Sequence, residues 1–485
     1  MMMMNEPKRL HPTYILLFVI QAIKGWFPAL IVLVVQGNKH PWLWTYAAPF
    51  LIGVNVCFGL VGWLRYSYTI EAEQIVIKKG VFFRDEKYIS FRRIHTVSIE
   101  EPLIQRLFRV VKVKLETPGG GNEADGVIPA ITRKEAEELQ AALRKEKGSH
   151  SSASEEDGTA EIKILPEQTE NHRAGARISL GTKDLLIAAC TTTHLGIVIT
   201  AVAGMLSFAD DVLPEDVYKS MTSWIIHHLS GFTAIILAII AGSLLAWVLS
   251  ILFYIVKFGG YTVEKNGSQI SISYGLLNKK QTAFHIHRVQ AICVKEGWLR
   301  QWLGYAEVEV YVIQSDKKEN VILHPFIKKA ELTQLFEQFL PQYHESKISD
   351  RAPGRGAFYF VRWQLLATCL VSGLLLLVFG KHAILSLVLI PLDTLWFLFI
   401  YRTQGVMLSN EQLAIQTRDL ARKTYYVRRP HIQSMTLSAT APIRRKGLLS
   451  LSIAVMGKSV RGIRLFEASQ LEAVWNWYSR RSSTM

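Results

Sequence analysis

The sequence predicts a membrane protein in which α-helical hairpins alternate with three copies of one strand-rich domain. Three observations lead to this fold class. Six apolar stretches are long enough to cross a bilayer, the polar segments between them repeat in register, and 49% of the 485 residues are hydrophobic although 20% are charged. Such a composition is typical of apolar spans that alternate with ordinary polar domains.

The six apolar stretches form three pairs, and a long polar segment follows each pair. About 20 mostly apolar residues cross the hydrocarbon core of a bilayer. The predicted spans are approximately Tyr14–Val35, Leu43–Leu64, Leu185–Phe208, Phe232–Val256, Val361–Phe379 and Ala383–Ile400. Because an even number of spans precedes each polar segment, the N-terminus and all three domains are expected on one side of the membrane.

Basic residues flank the spans on that side and indicate which side of the membrane it is. Cytoplasmic loops next to spans carry an excess of Lys and Arg. The flanking residues are Lys8, Arg9, Arg65, Lys257, Arg355, Arg362 and Arg402. We therefore expect a multi-pass membrane protein whose N- and C-termini both lie in the cytoplasm.

The three polar segments are internal repeats, and aligning Ile94, Val289 and Ile432 superimposes them without a gap over about 20 residues. Apolar residues then coincide with period two, which predicts a half-buried strand. The coinciding sets are Val97, Ile292 and Met435, followed by Ile99, Val294 and Leu437. Ile432 and Met435 are thereby assigned to the core of their domain.

Each copy opens with two β-patterned runs around a turn and closes with an amphipathic helix. The helix is indicated by apolar residues at i, i+3, i+4 and i+7. In the first copy Thr132 is placed to cap the helix, with Glu135 three residues further on. The apolar positions are Ala136, Leu139 and Leu143 in the first copy, Leu332, Leu335, Phe336 and Phe339 in the second, and Leu471, Val474, Trp475 and Tyr478 in the third.

These patterns divide the chain into nine segments. Residues 148–177 are rich in Ser, Glu and Gly and are predicted to be a disordered linker, and 344–358 contain Pro353 and two glycines and are predicted to be a shorter linker. The remaining segments are a cytoplasmic N-terminus at 1–13, transmembrane hairpins at 14–64, 178–258 and 359–401, and strand-rich domains at 65–147, 259–343 and 402–485.

The motifs HIQSM at His431 and RVQAI at Arg288, each followed by a Lys-Gly or Leu-Gly turn, carry a resemblance to a known family. With paired spans before each copy, the chain resembles the membrane-flanked bacterial pleckstrin-homology-like (PH-like) domain family in its three-repeat form. The resemblance implies a PH-like fold in each copy, an antiparallel β sheet or partly open barrel of seven strands capped by a C-terminal helix. The first copy departs from the pattern, with Arg109 in place of Gly304 and Gly447, which puts the geometry of its turn in doubt.

The resemblance implies no established chemistry, but it does imply a setting. It implies a bacterial cytoplasmic membrane, a smaller membrane partner with a single PH-like domain, and a role in cell-envelope stress or antimicrobial defence. Homo-oligomers and membrane lipids are further expected partners, whereas nucleic acid is disfavoured because no aromatic stacking surface accompanies the positive charge.

No catalytic, cofactor or metal motif is present in the sequence. It lacks phosphate-binding loops, Gly-x-Ser-x-Gly and HExxH, and its four cysteines are widely separated. His285 and His287 lie on one face of a strand without further ligands nearby, so a metal site is disfavoured. We therefore expect a protein without catalytic activity.

Most of the net charge of +15 lies in the third copy, where residues 402–481 contain 14 Lys or Arg and 4 Asp or Glu. Beside an anionic leaflet each basic residue contributes about 1 kcal/mol of attraction. Positive-inside bias and solubility explain the same charge, and this alternative stays open. The candidate surface for an anionic lipid or a partner consists of Arg428, Arg429, Arg444, Arg445, Lys446, Lys458, Arg461 and Arg464.

Two charged residues lie near the middle of predicted spans, Lys24 in the first and Asp393 in the sixth. Such residues are costly in a bilayer and often functional. The leading hypothesis is a cytoplasmic binding or scaffolding module held at the membrane. The alternative is a transporter or an export-complex component that uses a Lys24 and Asp393 pair.

Overall fold

The structure is a computed structural model that describes residues 7–25, 46, 48–71, 73–80, 83–94, 96–117, 126–139, 176–192, 231–312, 320–409, 411–455 and 458–479. The chain divides into two compact units, and each is described by itself. The first consists of Met1–Arg177, Glu264–Arg288 and Ile313–Glu319, and the second of Ile178–Val263, Val289–Val312 and Asn320–Met485.

Each repeat follows the same order of strands: a short leader strand before the helical hairpin, then three strands, then three more. In the first repeat these are β1 (Lys8–Arg9), β2 (Ser67–Ile70), β3 (Gln74–Lys79), β4 (Asp85–Ser90), β5 (Thr96–Glu101), β6 (Val110–Glu116) and β7 (Gly126–Thr132). In the second they are β8 (Arg177–Ser179), β9 (Thr262–Asn266), β10 (Gln269–Tyr274), β11 (Lys279–His285), β12 (Val289–Glu296), β13 (Tyr305–Val312) and β14 (Val321–Lys328). In the third they are β15 (Asp350–Arg351), β16 (Gly405–Ser409), β17 (Gln412–Arg418), β18 (Arg422–Arg428), β19 (Ser434–Ser438), β20 (Leu448–Val455) and β21 (Lys458–Glu467).

Helices form the hairpins and close each domain. A further short helix follows the fourth strand after each hairpin. The α-helices are α1 (Thr13–Gly25), α2 (Ala48–Arg65), α3 (Leu103–Leu107), α4 (Thr182–Cys190), α5 (Gly231–Phe258), α6 (Trp298–Leu303), α7 (Leu332–Phe339), α8 (Ala357–Phe379), α9 (Leu389–Arg402), α10 (Ala441–Arg444) and α11 (Ala468–Ser479). Residues 133–139 are also helical and close the first domain. Turns of 3-10 helix lie at Phe91–Arg93, Ile286–Arg288, Lys329–Glu331, Gly354–Gly356, Gly380–Val388 and Arg429–His431.

Within the described ranges, three helical segments are long and apolar enough to cross a membrane. They are Ile240–Phe258, Gly354–Phe379 and Ala383–Arg402, and shorter apolar helices occur at Thr13–Ala22 and Ile52–Arg65. The predicted spans Tyr14–Val35, Leu43–Leu64 and Leu185–Phe208 lie partly outside the described residues. Where the first hairpin is described, its two helices approach closely, and a Cβ on Gly59 of α2 would lie 3.2 Å from the Phe18 ring of α1.

The seven strands of each domain are divided between two sheets. The leader strand and the next three strands form one sheet, and the last three belong to another. The sheets have the orders β1-β2-β3-β4, β7-β6-β5-β11-β10-β9-β8, β14-β13-β12-β18-β17-β16-β15 and β19-β20-β21. The last three strands of one domain therefore join the first four of the next, and the described sheets are open.

Two antiparallel pairs make these junctions between consecutive domains. In the first unit β5 pairs with β11, so that Ser98 lies opposite Thr282. In the second unit β12 pairs with β18, so that Cys293 lies opposite Tyr425. These pairings satisfy backbone groups that an open sheet edge would otherwise expose.

The leader strands anchor the chain before each hairpin. Lys8 of β1 lies opposite Tyr68 of β2, and Asp350 of β15 lies opposite Val406 of β16. The predicted linker at 344–358 is thus an ordered part of the third domain, since strand pairing and the backbone hydrogen bonds of His344 to the Gln412 side chain hold it there. Of the predicted linker at 148–177, residues 148–175 lie outside the described part of the chain.

The core positions assigned from the repeat pattern are buried. Ile94, Val289 and Ile292 are fully buried, and Ile432 and Met435 are 7% and 8% exposed. Burial removes about 25 cal/mol of unfavourable hydration per Å² of apolar surface, so these side chains stabilise each domain. In β19 burial alternates as predicted, whereas Ala291 to Val294 of β12 are all buried, so that strand is not half-buried.

The closing helices differ in how well they cover their domains. All four predicted apolar residues of α7 are buried, as are Leu471 and Val474 of α11, but Trp475 is 39% exposed. The cap predicted at Thr132 is confirmed, since its backbone N–H donates to Glu135 Oε2 at 3.0 Å and the Glu135 N–H donates to Thr132 Oγ1 at 3.3 Å. Leu143 lies outside the described residues.

The turn at Arg109 keeps the geometry of its counterparts, contrary to the doubt raised by the sequence. Arg109 has φ of 55°, beside 75° for Gly304 and 67° for Gly447. Its N–H donates to the Arg106 carbonyl at 3.1 Å, and the Gly447 N–H donates to the Arg444 carbonyl at 2.9 Å. The fold imposes a left-handed backbone at this position, and a residue with a Cβ bears the strain.

Buried hydrogen bonds tie the hairpins to their domains. The Trp63 indole of α2 donates to the Leu10 carbonyl at 2.8 Å. Arg300 of α6 donates to Glu307 at 2.9 Å and to the Ala188 carbonyl of α4 at 3.3 Å. The Tyr401 hydroxyl of α9 donates to the Pro353 carbonyl at 2.7 Å. Each contact fixes the helix end at which the chain passes from hairpin to sheet.

Candidate functional site

Two of the eight predicted basic residues are engaged in contacts within the second unit. Arg428 donates to Glu411 and to Gln342 Oε1, both at 3.0 Å. Arg429 donates to the Tyr478 carbonyl at 3.3 Å and lies over the Trp477 ring at 6.0 Å. Both side chains therefore stabilise the third domain rather than forming an open basic surface.

Of the six remaining predicted residues, four have side chains that the structure describes, and all four are exposed. Arg444, Arg445 and Lys446 are exposed at the end of α10, before β20. Arg464 is exposed on β21, and its backbone N–H donates to Gln404 Oε1 at 2.8 Å. The side chains of Lys458 and Arg461 lie outside the described residues. Arg444 to Lys446 thus form an exposed basic turn before β20, and Arg464 lies on the neighbouring strand β21.

Arg464 lines a polar cavity of about 570 Å³ in the third domain, where the ends of α8 and α9 meet the sheet strands. We call it the Arg418 cavity. Its apolar side consists of Phe360, Phe397, Ile400, Leu451 and Ile463, with Gly462 beside them. Its polar side consists of Gln364, Gln404, Thr417, Arg418, Asp419, Ser438, Ser450, Ser452 and Arg464.

Arg418 is the most deeply buried of the polar residues that line this cavity, with 3% of its surface exposed. Its Nη2 donates to Gln301 Oε1, and its guanidinium lies over the Phe399 ring at 4.6 Å. Its Nε and Nη1 have no hydrogen-bond partner among the described residues. Burial lowers the pKa of Arg418, with nearby Arg422 acting in the same direction, but an arginine stays charged at physiological pH.

The local sequence explains how an arginine reaches this position. In the repeat alignment Arg418 corresponds to Gly80 and Gly275, where the first two copies turn with φ of 126° and 108°. In the third copy β17 continues in extended form through Arg418, which pairs with Arg422 of β18. Sequence reasoning missed this residue because it weighed clusters of charge, whereas the signal was a departure from a glycine shared by two copies.

The predicted intramembrane pair is described only in part. Asp393 of α9 accepts a hydrogen bond from the Thr368 hydroxyl of α8 at 2.7 Å. It also lines a mostly apolar cavity of about 740 Å³ together with Thr368, Leu389, Leu392, Leu395, Trp396, Phe399 and Leu420. The side chain of Lys24 lies outside the described residues. Asp393 thus has a partner within its own hairpin.

Within the described part of the chain, no group of three His, Cys, Asp or Glu side chains is placed to hold a metal ion. The rings of His285 and His287 lie 5.3 Å apart and are stacked. His285 ends β11 and His287 lies in the following 3-10 turn, so the prediction that both lie on one face of a strand is wrong.

Comparison with known proteins assigns the family. The family model described as bacterial PH domain matches residues 15–147, 198–342 and 364–482. The chain belongs to the bacterial PH domain family. Each of the three matched ranges includes part of the preceding hairpin, so the hairpin and the sheet belong to one repeated unit.

A curated relative has the same extent. The chain is 28% identical to the UPF0699 transmembrane protein YdbT of Bacillus subtilis (strain 168) over 498 residues, which cover 98% of this chain and 99% of the relative. No solved structure matches the chain. The similarity thus extends along nearly the full length of both chains.

Proposed function

We propose that this bacterial PH domain protein is a membrane-anchored binding module whose third domain holds the phosphate of an anionic lipid headgroup in the Arg418 cavity. One observation carries the proposal: Arg418 is 3% exposed, and two of its nitrogens have no acceptor among the described residues. A buried donor without a partner costs about 1–3 kcal/mol. An anionic oxygen would remove that cost through a charge-assisted hydrogen bond.

The position of the cavity suits a lipid headgroup. It is bounded by Gln364 near the start of α8 and Ile400 near the end of α9. These are the ends at which the hairpin joins the domain, and headgroups lie at the ends of membrane-spanning helices. Arg355 and Arg402 flank the same hairpin, in accord with a cytoplasmic domain.

The charges and hydroxyls of the Arg418 cavity favour a phosphate. Arg464 adds a second cation, and Ser438 and Ser452 supply hydroxyl groups. Asp419 also lines the cavity, but its carboxylate pairs with Lys423 at 3.3 Å, which offsets its charge. The exposed turn from Arg444 to Lys446 contributes longer-range attraction of about 1 kcal/mol per residue near an anionic surface.

Lipid retention by the purified full chain tests this proposal. We expect native mass spectrometry to show phosphatidylglycerol in preference to phosphatidylcholine, and Arg418→Gln to weaken this preference about tenfold through loss of a charge-assisted hydrogen bond. Arg418→Lys should retain part of it. Arg429→Gln is the matched control, because Arg429 contacts Tyr478 and does not line the cavity. Equal retention by wild type and Arg418→Gln, with unchanged melting, would rule the site out.

The three domains are proposed to act as a non-catalytic scaffold on the cytoplasmic face of a bacterial membrane. The strand pairings between consecutive domains support this reading, because they place binding surfaces in a fixed order along each sheet. We further propose a smaller membrane partner with one PH-like domain and a role in envelope stress or antimicrobial defence. Crosslinking in native membranes followed by co-purification tests this; recovery of the chain without a stoichiometric partner would count against it.

A second candidate, a transporter or export component, is favoured only by Asp393 and its adjacent cavity. If Asp393 takes part in ion transport, that transport should depend on its charge and on the hydrogen bond that it accepts from Thr368. The transport hypothesis predicts that Asp393→Asn abolishes function, whereas Thr368→Val shifts its pH dependence. Unchanged function in Asp393→Asn and Lys24→Gln would exclude it.

A further inference from the structure

The two junctions between consecutive domains have the same register. In the first, Ala283 lies opposite Val97 and Lys280 opposite Glu100. In the second, the equivalent Tyr426 lies opposite Ile292 and Lys423 opposite Lys295. The equivalences follow from the repeat alignment of Ile94, Val289 and Ile432. Because a slip of one residue would move every side chain to the other face, the shared register is a specific feature of the domain.

Side chains seal both junctions. In the first, Ser98 Oγ and Thr282 Oγ1 are 3.3 Å apart, and both residues are buried. In the second, Arg422 pairs with the buried Glu296, and the Tyr426 ring meets the Phe336 ring edge-on at 5.7 Å. Phe336 belongs to α7, so the closing helix of one domain also packs on the third strand after the hairpin of the next domain.

A helix turn beside each junction makes a further contact. Arg106 of α3 donates to the Leu276 carbonyl at 3.0 Å, in the turn before β11. Its counterpart Gln301 of α6 accepts from Arg418, the last residue of β17, one position before the residue equivalent to Leu276. The equivalent residue of the third domain is Arg444, which is exposed at the end of α10.

Among the described strands, each surface of such a junction occurs once more without a partner strand. In the described sheets β4 has only β3 beside it, and β19 has only β20. Residues buried at the junctions are exposed there: Tyr88 is 60% exposed, against 4% for the equivalent Tyr426, and Trp475 is 39% exposed, against 1% for the equivalent Phe336. The exposed aromatic residues thus mark the two halves of a third junction.

We propose that β4 of one copy of this chain pairs antiparallel with β19 of a second copy in this register. Lys87 then lies opposite Thr436, Tyr88 opposite Met435 and Asp85 opposite Ser438. Tyr88 packs on Trp475 of the second copy, and Arg444 of that copy donates to the turn before β4.

The choice of a second copy rests on complementarity within the chain. The described sheets carry one edge of each kind. In the proposed pairing the acidic Asp85 and Glu86 of β4 meet a domain with an excess of 10 basic over acidic residues among 402–481. The interface is heterologous, so it produces a ring or an open chain of copies. The pairing goes beyond the proposed lipid site and does not depend on it.

Disulfide crosslinking between two differently tagged full-length chains tests the pairing. One chain carries Lys87→Cys and the other Thr436→Cys, with the exposed Cys57, Cys190 and Cys369 replaced by Ala and the buried Cys293 retained. Oxidation in membranes should give a mixed dimer, because these residues take the places of Thr282 and Ser98. Glu86→Cys paired with Thr436→Cys is the matched control and should crosslink about tenfold less, since its side chains face opposite sides of the sheet.

A second measurement addresses the contact beside the strands. Arg444→Glu should lower the crosslinking yield about fivefold through loss of a hydrogen bond from a charged group, whereas Arg445→Glu should leave it within twofold. Absence of the mixed dimer, or equal yields for test and control cysteine pairs, would overturn the proposal. Capture of a different protein by Thr436→Cys in place of the second copy would equally overturn it. Melting curves matching wild type confirm that the variants fold.

Discussion

The second domain has Gly275 where the third domain has Arg418, and this difference converts a turn into a candidate binding site. Gly275 ends β10 with φ of 108°, and a Cβ there would lie 2.1 Å from the Asn278 carbonyl oxygen. Arg418 occupies the same position in extended form and carries a buried guanidinium into a polar cavity. In a chain of repeated domains, function is therefore best sought where one copy departs from a residue that the others need for their fold.

The largest effect is expected where the glycine of the second domain is replaced. Gly275→Ala combines a backbone that side chains rarely adopt with a steric clash, and should destabilise the domain by about 4 kcal/mol. Gly267→Ala is the matched control. Gly267 has φ of 59° with open space around it, so the cost is only about 1 kcal/mol. Hydrogen exchange of β10 and β11 in the purified full chain measures both, and equal protection in the two variants would contradict this account.

Acid sensitivity should also separate the two domains. His324 of β14 is 6% exposed, and burial lowers its pKa to about 4, while Ile463 takes the equivalent place in the third domain. As the pH falls from about 6.5 to 4, the unfolded chain binds a proton that the folded domain excludes, so the free energy of unfolding falls by up to about 3 kcal/mol.

The variant His324→Ile tests this pH dependence. It should remove the loss of protection in β13 and β14 between pH 6.5 and 4 while leaving β20 unchanged, as measured by hydrogen exchange corrected for intrinsic rates. The backbone N–H of Phe326, which donates to His324 Nδ1 at 3.3 Å, would lose its acceptor and lower stability at neutral pH by about 1 kcal/mol. An unchanged pH profile would show that His324 is not the responsible group.

The smallest expected effect concerns the first domain. Arg109→Gly should stabilise it by about 1 kcal/mol, because glycine adopts φ of 55° without the strain that Arg109 bears. The reverse change, Gly304→Arg, should destabilise the second domain by a similar amount. Thermal melting of the two variants measures both effects. A stabilised Gly304→Arg would mean that side chain contacts, rather than backbone strain, decide this turn.

The sequence predicted the features that depend on local periodicity. The repeat register, the core residues Ile432 and Met435, the cap at Thr132 and the four buried residues of α7 follow from patterns of two or four residues. Such patterns arise because each side chain faces either the core or the solvent, and this choice is written residue by residue.

The features that depend on pairing between distant strands were not predictable in the same way. The same apolar alternation in β5 fits a strand of a single-domain sheet and a strand shared with β11. The exposure of Tyr88 and Trp475, which supports the proposed pairing between copies, is visible in the structure and not in the sequence. The Arg418 cavity escaped prediction because charge counts favoured Arg428 and Arg429, whose side chains are engaged in contacts within the protein.

The most direct test of the central claim, that departure from glycine creates an anion site, is a cryo-electron microscopy structure in nanodiscs containing phosphatidylglycerol. The account predicts phosphate density within hydrogen-bond distance of Nε or Nη1 of Arg418, bounded by Ser452 and Arg464. Such density should be absent from Arg418→Gln in the same nanodiscs. Density that shows Nε and Nη1 of Arg418 donating only to protein acceptors or water, with headgroups ordered elsewhere, would contradict this claim.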